Sequence, residues 1–409
     1  MFGKVKKSVI LCCCFCLFFG WFVPTEMAEA ASTVPVKVEA RSYILLEMDS
    51  GLVLAEHHSG KPYAPASMTK IMTEYLILER IKQNKVSWKE KVRVSKNAAR
   101  IGEAQVFLKT GEERTIRELF TAMAVYSAND AAVALTEHIA GSETAFVDLM
   151  NRKAAELGLI HTHFTNCTGL PRRSYPDYPD VKGKHQMSAE DIAQLTRRIL
   201  TDYPEVIETV SLSHYTFRSG EKDERKLINW NRMLPGLSRA YRGLDGFKTG
   251  YTREAGYGFS GSAKRHGMRL VSVVMGTNSK VKRFTETQKL LDYGFDHYER
   301  KKMIESRVPI PGHRKVPVKH GAETEVPVVA ERSLTLPIIR ADAGKYRYKV
   351  EFPSDLKAPL KAGTVVGKAK ILYDGEEIPG LKPVRLIVQK DVDKAGWLTS
   401  LFRSVTGWF

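Results

Sequence analysis

Apolar positions along the chain follow two rhythms. Ser42-Tyr-Ile-Leu-Leu-Glu-Met48 and Leu52-Val-Leu-Ala-Glu56 flank Asp49-Ser50-Gly51, a pattern that predicts a strand, a tight turn and a second strand. From Ser67 to about Asp202 the rhythm becomes helical. Met68, Ile71, Met72, Tyr75 and Leu78 predict an amphipathic helix opened by Ser67, and Arg117 to Ile139 and Glu143 to Leu157 carry the same period. Runs of strand type return at Gly256 to Ala263 and Leu270 to Gly276, before a helical stretch over Thr285 to Tyr298. Strands at both ends with helices between them predict an α+β domain over residues 31–300, whose terminal strands share one sheet. From about Val308 the segments become short and rich in Val and Pro, with turn signals such as Asp374-Gly375. They predict a small all-β domain over 306–390.

The two ends read differently. Lys4, Lys6 and Lys7 precede an apolar run from Val9 to Val23 and the small-residue triplet Ala28-Glu29-Ala30, the layout of a secretory signal peptide over 1–30 with cleavage before Ala31. The run is shorter than the roughly 20 apolar residues a membrane span needs. Cys12, Cys13, Cys14 and Cys16 lie inside it, so Cys167 alone remains and no intrachain disulfide is expected. At the other end, residues 391–409 read as an amphipathic helix. Trp397, Leu398, Leu401, Phe402, Val405 and Trp408 fall on one face, with Ser400, Arg403 and Thr406 outside it. This stretch is too short to span a bilayer, so it is expected to lie in the interface, with Lys390 and Lys394 drawn to anionic lipid. The formal charge of +17 suits an anionic wall polymer or lipid surface. Export and the dispersal of the basic residues argue against a nucleic-acid partner, and the expected location is the outer face of the cytoplasmic membrane, in the cell-wall space.

Three short patterns carry the chemistry: Ser67-Met68-Thr69-Lys70, Ser127-Ala128-Asn129 and Lys248-Thr249-Gly250. Each also has decoys elsewhere, Ser219/Lys222, Ser279/Lys282, Ser354/Lys357, Ser95/Asn97 and Lys109-Thr110-Gly111, so context must choose. Ser67 and Lys70 stand one helical turn apart on one face. A serine is a weak nucleophile unless a base takes its proton, and a lysine can do so when burial or a nearby cation, here Lys248, lowers its pKa. Ser127 and Asn129 fall on a connection between two helical stretches. There a hydroxyl can relay a proton and an amide can hold substrate backbone. Lys248 and Thr249 suit a substrate carboxylate, and Gly250 lets a peptide backbone approach.

Together with Ala64-Pro-Ala66, Asp130-Ala-Ala132, the run from Phe146 to Gly158, Thr168-Gly-Leu170 and Asp245-Gly-Phe247, these motifs resemble the low-molecular-weight D-alanyl-D-alanine carboxypeptidases, penicillin-binding proteins of the SxxK/SxN/KTG type. The resemblance covers Ser42 to Tyr298 and extends to the layout of the β-rich region and C-terminal helix. It implies a β-lactamase/transpeptidase-like catalytic domain, an antiparallel sheet with a helical cluster. It also implies removal of the terminal D-alanine from peptidoglycan stem peptides through an acyl-enzyme, and covalent inhibition by β-lactams. Carried over residue by residue, it gives Ser67 as nucleophile, Lys70 as general base and Ser127 with Asn129 as proton relay and substrate contact. Lys248 and Thr249 become carboxylate binders, and the backbone N–H groups of Ser67 and Tyr251 the oxyanion hole. Tyr251 stands where some members have His, and Asp191 matches a family acidic position that also reads as a helix-start carboxylate. No metal or cofactor is implied. A class A β-lactamase needs a water-activating carboxylate, for which Glu224 is a poor candidate. A catalytically silent binding module has no use for a Ser127–Lys70 proton path, and a transpeptidase shares every motif.

Overall fold

The computed structural model describes residues 36–397. The expected signal peptide, 1–30, and residues 398–409 of the expected C-terminal helix lie outside them. Strands β1 (Ser42–Glu47) and β2 (Val53–His57) pair antiparallel. In the turn between them the Glu47 carboxylate accepts the Ser50 N–H at 2.8 Å. The longer helices that follow are α1 (Lys70–Lys82), α2 (Ile116–Tyr126), α3 (Asn129–Ala140), α4 (Glu143–Glu156) and α5 (Ala189–Asp202). The chain then returns through β3 (Leu244–Thr252), β4 (Gly256–Arg265) and β5 (Met268–Thr277) to helix α6 (Lys282–His297). The strands form one antiparallel sheet in the order β2-β1-β5-β4-β3. The two ends of the domain therefore meet in the pairing of β1 with β5, as the strand–helix–strand pattern predicts.

Both faces of this sheet are covered, which is why its central strands read as nearly continuous apolar runs. Ile44, Leu46, Val271 and Val273 pack with the helical cluster, while Leu45, Leu270 and Val274 pack on the opposite side, with Leu290 and Leu291 of α6. Helix α1 departs from the expected amphipathic form. Every residue from Lys70 to Leu78 is buried, because other helices and the sheet surround it, so polar residues on it face protein rather than water. The caps are legible in the sequence. Thr115 and Glu118 form a capping box at the start of α2, and the Ser188 hydroxyl accepts the Asp191 N–H at 3.0 Å at the start of α5. Two small two-stranded sheets, Lys91–Arg93 with Glu113–Thr115 and the hairpin His214–Phe217 with Arg225–Ile228, are too short to have been foreseen from apolar rhythm.

The β-rich unit begins as soon as α6 ends. Strand Tyr298–Ile304 pairs with Leu334–Ile339, ahead of a larger sheet built on Glu325–Ala330, Val384–Val388, Val365–Tyr373 and Tyr346–Glu351. Phe295 of α6 shares one apolar cluster with Ile304, Ile338 and Leu386, so this unit packs against the sheet's α6 side. Its last described stretch is extended. Val392 bridges Leu360 and the Ala395 N–H donates to the His320 carbonyl at 2.9 Å, so the N-terminal part of the expected 391–409 helix is bonded to the β-rich unit. No helix among the described residues is long and apolar enough to cross a membrane.

Candidate active site

Ser67 lies on a 3-10 turn, Ala66–Thr69, immediately before α1. Ala66 holds φ +49, a conformation an alanine adopts only when its surroundings impose it. Glycines impose it. A Cβ on Gly169 would sit 1.9 Å from the Ala66 carbonyl oxygen, one on Gly250 2.7 Å from the Pro65 carbonyl oxygen, and one on Gly258 2.8 Å from Met68 Cε. Gly250, read as room for a substrate backbone, lines the cleft and also admits the chain's own backbone at Pro65. Gly169 was quoted only within the Thr168-Gly-Leu170 resemblance, and Gly258 in no motif; their support of the turn is visible only in three dimensions.

Lys70 is fully buried. Its Nζ lies 2.6 Å from Asn129 Oδ1, 3.0 Å from the Thr168 carbonyl oxygen and 3.3 Å from Ser67 Oγ. Burial, then the nearby Lys248 ammonium, lowers its pKa to about 7. A neutral amine has two N–H bonds and one lone pair. The amide and the carbonyl take the two N–H bonds, which leaves the lone pair for the serine hydroxyl. The loop that supplies the Thr168 carbonyl is shaped by Asn166, whose Oδ1 accepts the Gly169 N–H at 2.7 Å and the Thr168 N–H at 3.1 Å. Thr168 was quoted in the sequence as part of a resemblance; its contact with Lys70 is visible only in three dimensions.

Ser127 ends α2 with φ +62, and this left-handed residue turns the chain so that Ser127 and Asn129 both line the cleft that holds Ser67. Its Oγ is buried with no hydrogen-bond partner among the described residues, which leaves the hydroxyl free for a substrate. Asn129 is fixed by donating from Nδ2 to the Gly102 carbonyl at 2.9 Å. Asp130 anchors the opposite loop by accepting the Val106 and Leu108 N–H groups at 3.0 and 3.1 Å.

Strand β3 is an edge of the sheet, and its residues Thr249, Gly250 and Tyr251 line the other wall of a cleft of about 640 Å³. Lys248 is buried, and its pKa is lowered to about 8, by desolvation, against the raising effect of Glu74. Tyr251 is exposed and stacks on Tyr257 with ring centroids 4.2 Å apart. Arg283, unmarked by any motif, reaches the cleft from α6, and its Nη1 donates to the Gly250 carbonyl at 3.4 Å. The decoys separate from this set. The Ser95 hydroxyl caps a short helix by accepting the Ala98 N–H, Asn97 bonds Glu137, and Lys109 pairs with Asp223 on the surface. Asp191 accepts the His161 N–H and the Thr162 hydroxyl at 2.8 and 2.7 Å, a structural clamp outside the cleft. Glu224 accepts the Gly220 N–H within its hairpin and does not line the cleft.

This α+β fold, with a half-buried serine beside a desolvated amine at the foot of a cleft, defines a serine-type hydrolase. Residues 27–279 match the family model of D-alanyl-D-alanine carboxypeptidase, and residues 298–394 that of the C-terminal domain of penicillin-binding protein 5. The chain belongs to the D-alanyl-D-alanine carboxypeptidase family. It is 34% identical over 390 residues to the D-alanyl-D-alanine carboxypeptidase DacF of Bacillus subtilis, covering 95% of each chain. With DacC of Escherichia coli it is 34% identical over 93% of this chain and 91% of that one. Penicillin-binding protein 5 from Haemophilus influenzae superposes with a TM-score of 0.75 at 30% identity, over 88% of this chain and 99% of that one. Penicillin-binding protein D2 of Listeria monocytogenes, solved in an ampicillin-bound form, superposes at 0.56 and 33% identity, over 64% of this chain and all of that one.

Proposed function

We propose that this enzyme removes the terminal D-alanine of peptidoglycan stem peptides through an ester on Ser67. The observation that carries the reading is the buried Lys70 amine, with both N–H bonds engaged and Ser67 Oγ 3.3 Å away. Ser67 Oγ attacks the carbonyl between the two D-alanines while Lys70 takes its proton. The N–H groups of Ser67 and Tyr251 receive the developing oxyanion. Ser127 passes the proton to the leaving amine, Asn129 holds the substrate amide, and free D-alanine departs. Water then hydrolyses the ester, with Lys70 again accepting a proton. Lys248, Thr249 and Arg283 receive the substrate's terminal carboxylate. A β-lactam enters by the same attack, but its leaving nitrogen stays tethered to the acyl group.

The enzyme is proposed to work at the outer face of the cytoplasmic membrane, held there by the apolar face of residues 395–409. The amphipathic pattern and the flanking lysines support this placement.

Labelling with fluorescent penicillin tests the catalytic assignment. Ser67→Ala is expected to abolish labelling, and Lys70→Ala to reduce it by at least about 100-fold. Labelling should rise with pH through about 7 as Lys70 loses its proton. Undiminished labelling of Ser67→Ala, with Ser219, Ser279 or Ser354 modified instead, would overturn it. Release of D-alanine from a D-Ala-D-Ala pentapeptide by wild type but not by Ser67→Ala completes the test.

A further inference from the structure

Helix α1 carries a carboxyl group that the reaction above does not use. Glu74 lies one turn beyond Lys70, is 0% exposed, and neither of its side-chain oxygens has a hydrogen-bond partner among the described residues. A carboxyl group buried without hydrogen bonds takes up a proton unless opposite charge holds it ionised, and burial raises the pKa of Glu74 to about 7 against the pull of Lys248 and Lys70, so it is a carboxylate above that pH. The charges in range are the two lysines of the site, Lys70 on the same helix and Lys248 on β3. Lys248 is faced by Glu74 from α1 and by Arg283 from α6. Lys70 is faced by Lys248, by Cys167 of the Thr168 loop, by Glu74, and by Glu143 of α4. The reaction needs these amines in opposite states: Lys70 neutral to take a proton, Lys248 charged to hold a carboxylate. Lys70 has its N–H bonds absorbed by neutral acceptors, the Asn129 amide and the Thr168 carbonyl. Against the cationic Arg283, Glu74 is the acidic group acting on Lys248.

We propose that Glu74 is a positioning residue, the buried counter-ion that keeps Lys248 cationic while Lys70 beside it is neutral. The inference rests on the reading of Lys248 as a carboxylate binder. Burial strips Lys248 of water and lowers its pKa, and the Glu74 carboxylate opposes that fall. Without the carboxylate, Lys248 deprotonates at lower pH. The Lys248 cation in turn depresses the pKa of Lys70, so Glu74 acts on the general base through the carboxylate binder as well as directly. It touches no substrate, and its effect must appear in the pH dependence.

The test measures acylation rate against pH for benzylpenicillin and for its methyl ester, which lacks the carboxylate, using wild type and Glu74→Gln. Wild type is expected to prefer the acid most strongly below about 8 and to lose the Lys248 share of that preference above it as Lys248 deprotonates, while Arg283 stays cationic. In Glu74→Gln the loss should move to lower pH by about 1 unit or more, while the ester's rate stays within a few-fold of wild type at its optimum. A purely structural role would lower both rates together and leave the midpoint in place, and that result overturns the proposal. Wild type that never distinguishes acid from ester overturns the reading of Lys248 and the counter-ion with it. Glu74→Met also removes the charge and fills the site with a helix-favouring apolar chain, so the same midpoint can be read there should Glu74→Gln not fold.

Discussion

At the scale of single residues, the candidate site divides into groups whose proposed chemistry is written in motifs and groups that support them or join them from elsewhere in the chain. The first kind was readable, because Ser67, Lys70, Ser127, Asn129, Lys248 and Thr249 sit in ordered motifs whose residue types announce a proton path and an anion site. The second kind was not. Thr168 contributes only its carbonyl, Gly169 contributes the absence of a Cβ, and Arg283 arrives from a helix far along the chain. Glu74 left a faint trace, as a lone acid within the run Met72 to Leu78, but only burial on every side of α1 gives that trace meaning. A pair of substitutions separates steric demand from backbone preference. Gly169 and Gly111 have nearly equal φ, +81 and +83, but a Cβ at 111 meets nothing within 4 Å. Gly111→Ala should cost about 1 kcal/mol of stability and retain penicillin labelling. Gly169→Ala, whose Cβ collides with the Ala66 carbonyl, should lose most of its labelling as the turn carrying Ser67 is displaced. Thermal melting and labelling of both variants check this, and equal labelling would remove Gly169 from the support of the nucleophile.

Among the elements, period and composition located the long ones and missed the short ones. Strands β1, β4 and β5 lie where apolar runs are flanked by turns, since a sheet covered on both faces leaves an unbroken apolar trace. The hairpin Arg225–Ile228 with His214–Phe217 is held largely by its ladder and by ion pairs such as Arg218 with Glu112 at 2.8 Å, interactions with no hydropathic rhythm. The tail combines both cases. Residues 392–395 follow the β-rich unit's pairing, whereas most of the apolar face read from the sequence, from Trp397 onward, falls further along. Truncation distinguishes these parts. A chain ending at Gly396 should keep the Val392 and Ala395 bonds, melt near the full chain and label with penicillin, but fail to sediment with anionic vesicles. One ending at Lys390 should melt several degrees lower as well. Vesicle binding by the chain that ends at Gly396 would sink the anchor.

Over the whole molecule, the division into an α+β part and a β-rich part was legible as a change of composition from about Val308, although the first strand of the β-rich unit already begins at Tyr298, and the seam between them was not legible. Composition marks where segments change character, whereas the seam is a shared apolar cluster in which Phe295 meets Ile304, Ile338 and Leu386. The Tyr298 hydroxyl also donates to the Leu54 carbonyl at 3.5 Å, and Arg340 donates to the Phe295 carbonyl at 3.2 Å. Parts joined by a common core unfold together more readily than parts joined by a linker. Calorimetry on the chain ending at Gly396 should therefore give a single transition, shifted upward as a whole by covalent penicillin, and two resolved transitions would show that the cluster does not couple the parts. The same cluster has a consequence for geometry. With the tail held at a bilayer as proposed, a β-rich unit packed on α6 through this cluster would make the height of Ser67 above the lipid a dimension set by the fold. On that proposal the enzyme would select its substrate by altitude as well as by chemistry, trimming the stem peptides that hang within one thin layer of the wall and leaving chemically identical ones beyond its reach.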